Sequence, residues 1–498
     1  MILVGAVDLG TSRIRLGVAE GSPARLRILG DTPNQVIHGE GGAAHCHFSH
    51  YHATVLAHLR ALARYSAEVG ATAVHLGVTG QVSSLIAWDA QTGRPRQDAF
   101  PIWMDSTCAA AVPELAALWD GAGARELLGT CLPAASNWLA VKLRHALRGD
   151  AALAHAPVVF LQLQDALIQS LCGTTLTHPS AQISLVDHRT GQYAPGMLRF
   201  LGLDAARLPR ISTAGALPLA GAQQAALGLP ATVLHVAPQD THAALFGLAP
   251  RPGDGLLLAG TSEIVGVCEA TRRSQPPTRM VLSPLGQGWM VYGSSASGGA
   301  SLDWLMKSVL RRADAADLAS LTQQAALLSP GADGLTCLPY FSGERAPLWD
   351  NQLSGALVGV RAHHTDAHLL RAVLEGVAYA RRQAAEALEV ALPARFLAAG
   401  GGTASALWNR IRASILERPL AVMDTPDLAL IGATRWVMLG AGMDLGRLDA
   451  LSGAQTVAPE AAWLPAYRAG YARFLAAQQL LHPATRPHAQ PLTEATHA

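Results

Sequence analysis

The sequence predicts an α/β protein built from two related domains. Three observations carry that expectation: a strand–Gly-Thr-Ser–strand unit occurring twice, short apolar strands alternating with helical stretches, and a Pro/Gly break near mid-chain. The first copy is "VGAVDLGTSRIRLGVAE", where Val4 and Ala6 precede the turn and Ile14, Leu16 and Val18 alternate after it. The second, "GLLLAGTSEIVGVCEA", starts at Gly255, about 250 residues later. That spacing is far too long for a solenoid and suits two duplicated domains. The copies differ at one telling place. Asp8 stands before the first turn, where the second has Leu258-Ala259 before Gly260.

Each element follows in order. "ATVLAHLRALARYSAEVG" has helical periodicity and stops at Gly70. "AVHLGVTGQVSSLIAWDAQTGRPR" reads as strand, glycine turn, strand and Thr-Gly loop, and "AFPIWMD" as a further strand ending near Asp105. Helical segments are expected around 109–148 and through "VVFLQLQDALIQSLCG". "TVLHVAP" is a strand running into the helix "THAALFGLA", and "RPGDG" at 251–255 is the best boundary. The predicted division is 1–248, 249–445, and a C-terminal helical extension with a flexible tail over 446–498.

Composition narrows the function. Thirty-seven basic and 36 acidic residues leave a formal net charge of +1, so no global field recommends nucleic acid or an anionic membrane as partner. Half the residues are hydrophobic and 15% are charged, which fits a compact chain, and no apolar run reaches transmembrane length. Six scattered cysteines without C-x-x-C spacing suggest reduced thiols and a cytoplasmic setting. His45, His47, His50 and His52 lie close together, but a loop-to-helix passage does not make them converge on a metal.

Two carboxylates have competing readings. Asp8 could hydrogen-bond the amides of its own turn, or hold a metal beside an anion cradled there. Asp240 could cap its helix, or point into a site as a base. Two Gly-Thr-Ser hairpins, one per domain, could grip a polyphosphate through backbone amides and hydroxyls. No Walker P-loop is present. Gly400, Gly401 and Gly402 read as a turn with positive φ, and Ser405 and Asn409 share one helical face at i, i+4. Glu344-Arg345 reads as a structural ion pair, and Trp349 and Trp408 as packing residues.

The duplicated hairpins resemble those of the actin-like ATPase (ribonuclease H-like) fold of sugar kinases, actin and Hsp70 chaperones, with a cleft between duplicated domains. Further motifs narrow the likeness. "LPYFSGERAPLWDNQLSGALVGVRAHHTDAHLLRAVLEGVAYARR" resembles the C-terminal signature of the FGGY carbohydrate kinases, and "FLAAGGGTASALWNRIRASILERPL" their adenosine segment. "VAPQDTHAALFG" resembles the segment carrying their catalytic aspartate, Asp240 here. "GVTGQVSSLIAWD" and "PIWMD" resemble two sugar-site segments. The likeness runs in order from residue 2 to about 445. It implies ATP and Mg²⁺ as cofactors, with Asp240 as base and Asp8 and Asp240 toward the metal. Thr11, Ser12, Arg13, Gly260, Thr261 and Ser262 would face the phosphates. Gly401, Gly402, Ser405 and Asn409 would face the nucleoside. Gln81, Val82, Ser83, Trp103, Asp105 and Asp240 would face the sugar. The partners implied are a small sugar or polyol and ATP, with a homodimer as a possible assembly.

The sugar segments depart from the family pattern. Gln81-Val82-Ser83-Ser84 replaces the Gln-Met-His-Gly of xylulokinases and the Gln-Arg-Glu of glycerol kinases. Trp103-Met104-Asp105-Ser106-Thr107 lacks the arginine of the Trp-Asn-Asp-x-Arg pattern, and Ser180-Ala181-Gln182 replaces Asp/Asn-Ala-Ser. The expected reaction is phosphorylation of a terminal hydroxyl of a ketose, with a pentulose such as xylulose first. A fuculose-like deoxyhexulose, a small polyol such as glycerol or erythritol, and a sugar-binding pseudokinase switch are the alternatives.

Overall fold

The computed structural model describes the chain except residues 21–24, 120–122, 276, 287, 313, 351, 424–426, 444–453 and 483–498. It divides into two compact units, Met1–Pro250 with Ala270–Met290 and Asp427–Ser452, and Arg251–Glu269 with Val291–Pro426 and Gly453–Ala498. Both units are discontinuous, whereas the predicted division is by continuous blocks. The described residues of 270–290 and 427–443 belong by packing to the first unit, which hydrophobic periodicity along the chain does not reveal.

The first unit is built on a six-stranded sheet. Its order is Ala216–Pro218, Ala231–Val236, Ala73–Gly80, Ile2–Leu9, Arg13–Ala19, Leu26–Pro33. Ile2–Leu9 pairs antiparallel with Arg13–Ala19 across the Gly-Thr-Ser turn and parallel with Ala73–Gly80, which pairs parallel with Ala231–Val236. Residues 3–9 are all buried, as expected of a strand covered on both faces. Ile14, Leu16 and Val18 are fully buried, the alternation read from the sequence. Each contributes about 1.5–3 kcal/mol of burial.

The helix Phe48–Glu68 buries Tyr51, Val55, Leu59 and Leu62, one stripe at helical spacing, and the chain turns at Gly70 with φ +65°. The predicted helix beginning at Val158 is corrected in its first turn. Val158–Leu161 is a strand paired with Ile86–Asp89, and the helix runs Leu163–Cys172. Its β-branched and aromatic opening, Val-Val-Phe, favours the pleated surface. The helix Leu428–Gly440 packs on Asp240–Gly247 so closely that a Cβ at Gly432 would lie 1.7 Å from the Ala243 carbonyl oxygen.

The second unit repeats the strand plan. Gly255–Ala259 pairs antiparallel with Glu263–Glu269 across the second Gly-Thr-Ser turn and parallel with Phe396–Ala399. Leu420–Val422 and Gln455–Val457 continue this sheet. The helix Asp366–Glu386 buries Leu370, Val373 and Val377, and Leu464–Leu481 adds Tyr467, Tyr471 and Phe474. That helix is the expected extension. The expected tail lies outside the described residues.

Candidate active site

In the first unit the carboxylates of interest stand where parallel strands end, the usual ligand side of an α/β sheet. Asp8 is one residue from the end of Ile2–Leu9, opposite Thr79 on one neighbour and Arg15 on the other. It is 5% exposed; its Oδ2 lies 3.5 Å from Arg15, and its Oδ1 has no hydrogen-bond partner among the described residues. Arg15 also binds Asp427, at the start of the Leu428–Gly440 helix. Of the two readings of Asp8, bonding to the turn amides is therefore not the one found. Burial, and then the charge of Asp240, push the Asp8 carboxyl up to about 7 against the opposing pull of Arg15.

Asp240 opens the helix Asp240–Gly247, but the cap is Gln239, whose Oε1 accepts from the Thr241 amide at 2.8 Å. This frees Asp240 from the capping role. Its Oδ1 accepts from the Thr241 amide and hydroxyl at 2.6 and 3.2 Å. Burial raises its pKa to about 6, with the Thr241 bonds opposing. The Thr79 hydroxyl donates to the Pro238 carbonyl at 2.7 Å, tying the loop before Asp240 to the strand beside Asp8. Two carboxylates that interact electrostatically are thus held on one sheet edge.

The sugar segment is wired to the opening hairpin. Trp103 Nε1 donates to Thr11 Oγ1 (3.1 Å), which donates to Gln81 Oε1 (3.1 Å), while Gln81 Nε2 donates to the Tyr51 hydroxyl (2.9 Å). Tyr51 closes the loop by donating to the Gly10 carbonyl at 2.9 Å. Ser83 is buried with φ +62°, a left-handed conformation costly for a residue with a Cβ. Its amide donates to Gln162 Oε1 at 2.6 Å, which holds the turn. Val82 beside it is half-buried.

Asp105 is occupied. One oxygen accepts from the Ala44 amide (2.8 Å) and the other from Thr107 Oγ1 (2.6 Å), while Lys142 Nζ donates to its carbonyl at 2.7 Å. Its carboxylate shapes the loop that presents Trp103. Thr11 is half-buried and Ser12 exposed, both at the turn. Arg13 is turned to Asp31, 2.6 Å away on the next strand, so Arg15 is the arginine that reaches Asp8.

In the second unit the Gly260 amide donates to the Ser262 carbonyl (3.1 Å), and the Gly299 and Ala300 amides donate to the carbonyls of Gly260 and Thr261 (2.9 Å each). Glu263, the next residue, is fully buried and paired with Arg412, whose Nη1 donates to the Gly402 carbonyl at 3.0 Å. One guanidinium thus ties the second hairpin to the glycine turn. Gly400 has φ +104°, and a Cβ there would lie 2.7 Å from the Ala259 carbonyl oxygen, so glycine is required. Gly401 is exposed and faces open space.

Ser405 caps the following helix through the Trp408 amide (3.3 Å), and Asn409 Nδ2 donates to the Thr403 carbonyl (2.7 Å), leaving its buried Oδ1 without a partner. Trp408 is core, 1% exposed; Trp349 is half-buried, with φ +52°. The expected Glu344–Arg345 pair is corrected. Glu344 accepts from Ser295, Ser297 and the Ala296 amide and faces the buried Arg381 at 3.6 Å, while Arg345 donates to the Ser295 carbonyl. Arg345 meets the Glu344 carboxylate through its backbone amide, at 2.8 Å, while its guanidinium goes to Ser295. Among the described residues no three His, Cys, Asp or Glu side chains converge on a metal, and His47 pairs with Asp98 instead.

Sequence reasoning missed Arg15, Asp427, Tyr51, Gln162 and Arg412. Only Arg15 left a signal, as it lies opposite Asp8 once the hairpin register is counted.

Comparison with known proteins places these features in a lineage. Residues 3–247 match the N-terminal domain, and 255–441 the C-terminal domain, of the FGGY family of carbohydrate kinases. A glycerol kinase of Methylobacterium radiotolerans is 28% identical over 507 aligned positions, covering 95% of this chain and 96% of that one. The xylulose kinase structure from Rhodospirillum rubrum superposes with a TM-score of 0.85 at 26% identity, covering 97% of this chain and 99% of that one. The gluconate kinase structure from Lactobacillus acidophilus shares the fold with a TM-score of 0.84 at 19% identity, over 96% and 98% of the two chains. The fold is thus the two-domain α/β fold of these kinases, of actin-like ATPase type. No helix among the described residues is long and apolar enough to cross a membrane.

Proposed function

The chain belongs to the FGGY family of carbohydrate kinases, and we propose that it transfers the γ-phosphoryl group of ATP to a terminal ketose hydroxyl, with Asp240 as base. As a member of that family it is an ATP-dependent phosphotransferase acting on a sugar or polyol. The observation that carries the assignment of the base is Asp240 itself: the first residue of the helix that follows the Ala231–Val236 strand, on the same side as Asp8, with a pKa of about 6. A sugar hydroxyl attacks poorly until its proton has somewhere to go. At pH 7 a carboxylate titrating near 6 is mostly ionised, yet basic enough to accept that proton.

The residues present fit Mg²⁺. Asp8 offers a buried carboxylate oxygen without a partner, close enough to Asp240 for the two charges to interact, and hard oxygen donors suit this ion. When bound, Mg²⁺ neutralises phosphate charge. Thr11 and Ser12 of the first turn and Gly260, Thr261 and Ser262 of the second are assigned to the phosphates. Gly401 and Gly402 are assigned to the base, and Gln81, Val82, Ser83 and Trp103 to the sugar. Asp105, Ser405 and Asn409 support those loops. Six thiols without a disulfide agree with a cytoplasmic enzyme, and a homodimer is the assembly proposed.

For the acceptor, a pentulose is the first reading. Ser83 presents a small hydroxyl where relatives carry larger polar groups, and the xylulose kinase structure superposes over nearly the whole chain. Glycerol is the second reading, favoured by the glycerol kinase likeness. An ADP-release screen over pentuloses, hexuloses, deoxyketoses and polyols decides between them. In the same assay Asp240→Asn is expected to lose roughly 10²–10⁴-fold in kcat with MgATP binding little changed. Wild-type kcat/KM is expected to fall tenfold per pH unit below about 6. Turnover of Asp240→Asn within a few-fold of wild type removes Asp240 as base.

A further inference from the structure

The first unit contains a cavity of about 550 Å³ lined by none of the residues assigned above to sugar, phosphates, base or metal. His178, His242, Phe246, Ser283, Trp289 and Trp436 are among its walls, and Asp240 is not. Its size lies within the roughly 300–1,000 Å³ of small-molecule sites. Trp436 stands perpendicular to both the His178 and Phe246 rings, at 4.9 and 5.4 Å between centroids, giving flat apolar faces.

The hydrogen bonds fix the tautomers of both imidazoles. His178 Nδ1 accepts from the Ser180 amide at 3.1 Å and lies 2.8 Å from the Ser180 hydroxyl, which itself accepts from the Gln239 amide. Nδ1 therefore carries no proton, and the neutral ring carries it on Nε2. That N–H belongs to a side chain only 6% exposed and has no hydrogen-bond partner among the described residues. Gln239 Oε1 is used by the Thr241 amide, so its Nε2 donates to His242 Nδ1 (2.5 Å), and His242 Nε2–H donates to Ser283 Oγ (2.9 Å). The Ser283 hydroxyl proton is then left to turn toward the cavity. Burial holds both rings neutral, pushing each pKa down to about 3. A buried donor without an acceptor is costly, and a ligand oxygen would relieve it.

We propose that this cavity is a second binding site, for an uncharged, flat-ringed small molecule that accepts a hydrogen bond from His178 Nε2–H and Ser283. Neither charge is favoured: among the described residues no carboxylate lines the walls, and the charge of Arg189, which does, is engaged by Asp187 at 2.7 Å. The proposal does not depend on which sugar is phosphorylated.

The test uses the full chain, with indole-3-acetamide, indole-3-acetate and tryptamine as matched neutral, anionic and cationic probes in ligand-observed NMR titrations. The amide is expected to saturate with a dissociation constant around 1 mM, more tightly than either charged probe. His178→Phe keeps the ring against Trp436 but removes the donor, and should weaken amide binding about three- to tenfold. Leu439→Trp, which adds bulk at another wall, should abolish it. Should His178→Phe fail to fold, Leu439→Trp and amide-induced shifts of the Trp289 and Trp436 indole N–H signals carry the test. The proposal is overturned by absence of saturable amide binding, by tryptamine or indole-3-acetate binding as tightly, or by unchanged amide affinity in folded His178→Phe. With Leu439→Trp as the surviving variant, unchanged binding or still indole signals overturn it equally.

Discussion

Asp8→Asn should make the metal-free protein more stable at pH 8 while weakening its hold on MgATP. Asp8 ionises near 3.8 in the unfolded chain and near 7 in the fold. Between those values the folded state binds more protons, so stability falls as pH rises through the window, and the full cost is present above pH 7. About three pKa units at 1.36 kcal/mol each give a ceiling near 4 kcal/mol. Losing the 3.5 Å contact with Arg15 returns part of this, though Arg15 keeps Asp427. A net gain of about 2–3 kcal/mol is expected, or roughly 5 °C in the melting of the first unit. The assay is calorimetry in chelator at pH 4, 6 and 8, with the difference between variant and wild type growing across the series. MgATP affinity, measured at pH 8, should fall at least tenfold. A difference independent of pH, or a variant less stable at pH 8, refutes the argument that Asp8 is held ionised at a cost.

Three further outcomes are expected. Arg412→Met leaves buried Glu263 with only Arg381, 4.0 Å away, and should cost about 3 kcal/mol by urea denaturation, with nucleotide affinity falling alongside. Gly401→Val meets nothing within 4 Å, so stability should change by less than about 1 kcal/mol; if adenine lies on that bare backbone, ATP affinity drops at least tenfold in calorimetry, and unchanged affinity removes Gly401 from the site. Ser83→His should shift the substrate ranking toward a plain pentulose in the ADP-release panel, and an unchanged ranking removes Ser83 from the sugar site.

By itself the sequence determined the pieces whose cause is local. Both Gly-Thr-Ser hairpins, the buried alternation of Ile14, Leu16 and Val18, and the helix closing at Gly70 follow from periodicity and turn chemistry. Asp8 and Asp240 were legible because each stands where a strand recognisable from its own residues gives way to a turn or a helix. Tertiary structure alone decided how those residues are employed, because side-chain partnership depends on register and packing between segments far apart in sequence. Arg13 and Arg15 are two residues apart, yet one faces Asp31 and the other is drawn to Asp8 and Asp427, the latter 412 positions away. Asp105, Ser405 and Asn409 read alike as ligand contacts; in the fold each also bonds backbone of its own surroundings, the Ala44 amide, the Trp408 amide and the Thr403 carbonyl, which sequence does not reveal. Helix Leu428–Gly440 lies beyond the second hairpin in sequence, yet packs on the Asp240 helix because glycine at 432 permits a backbone approach that periodicity does not encode.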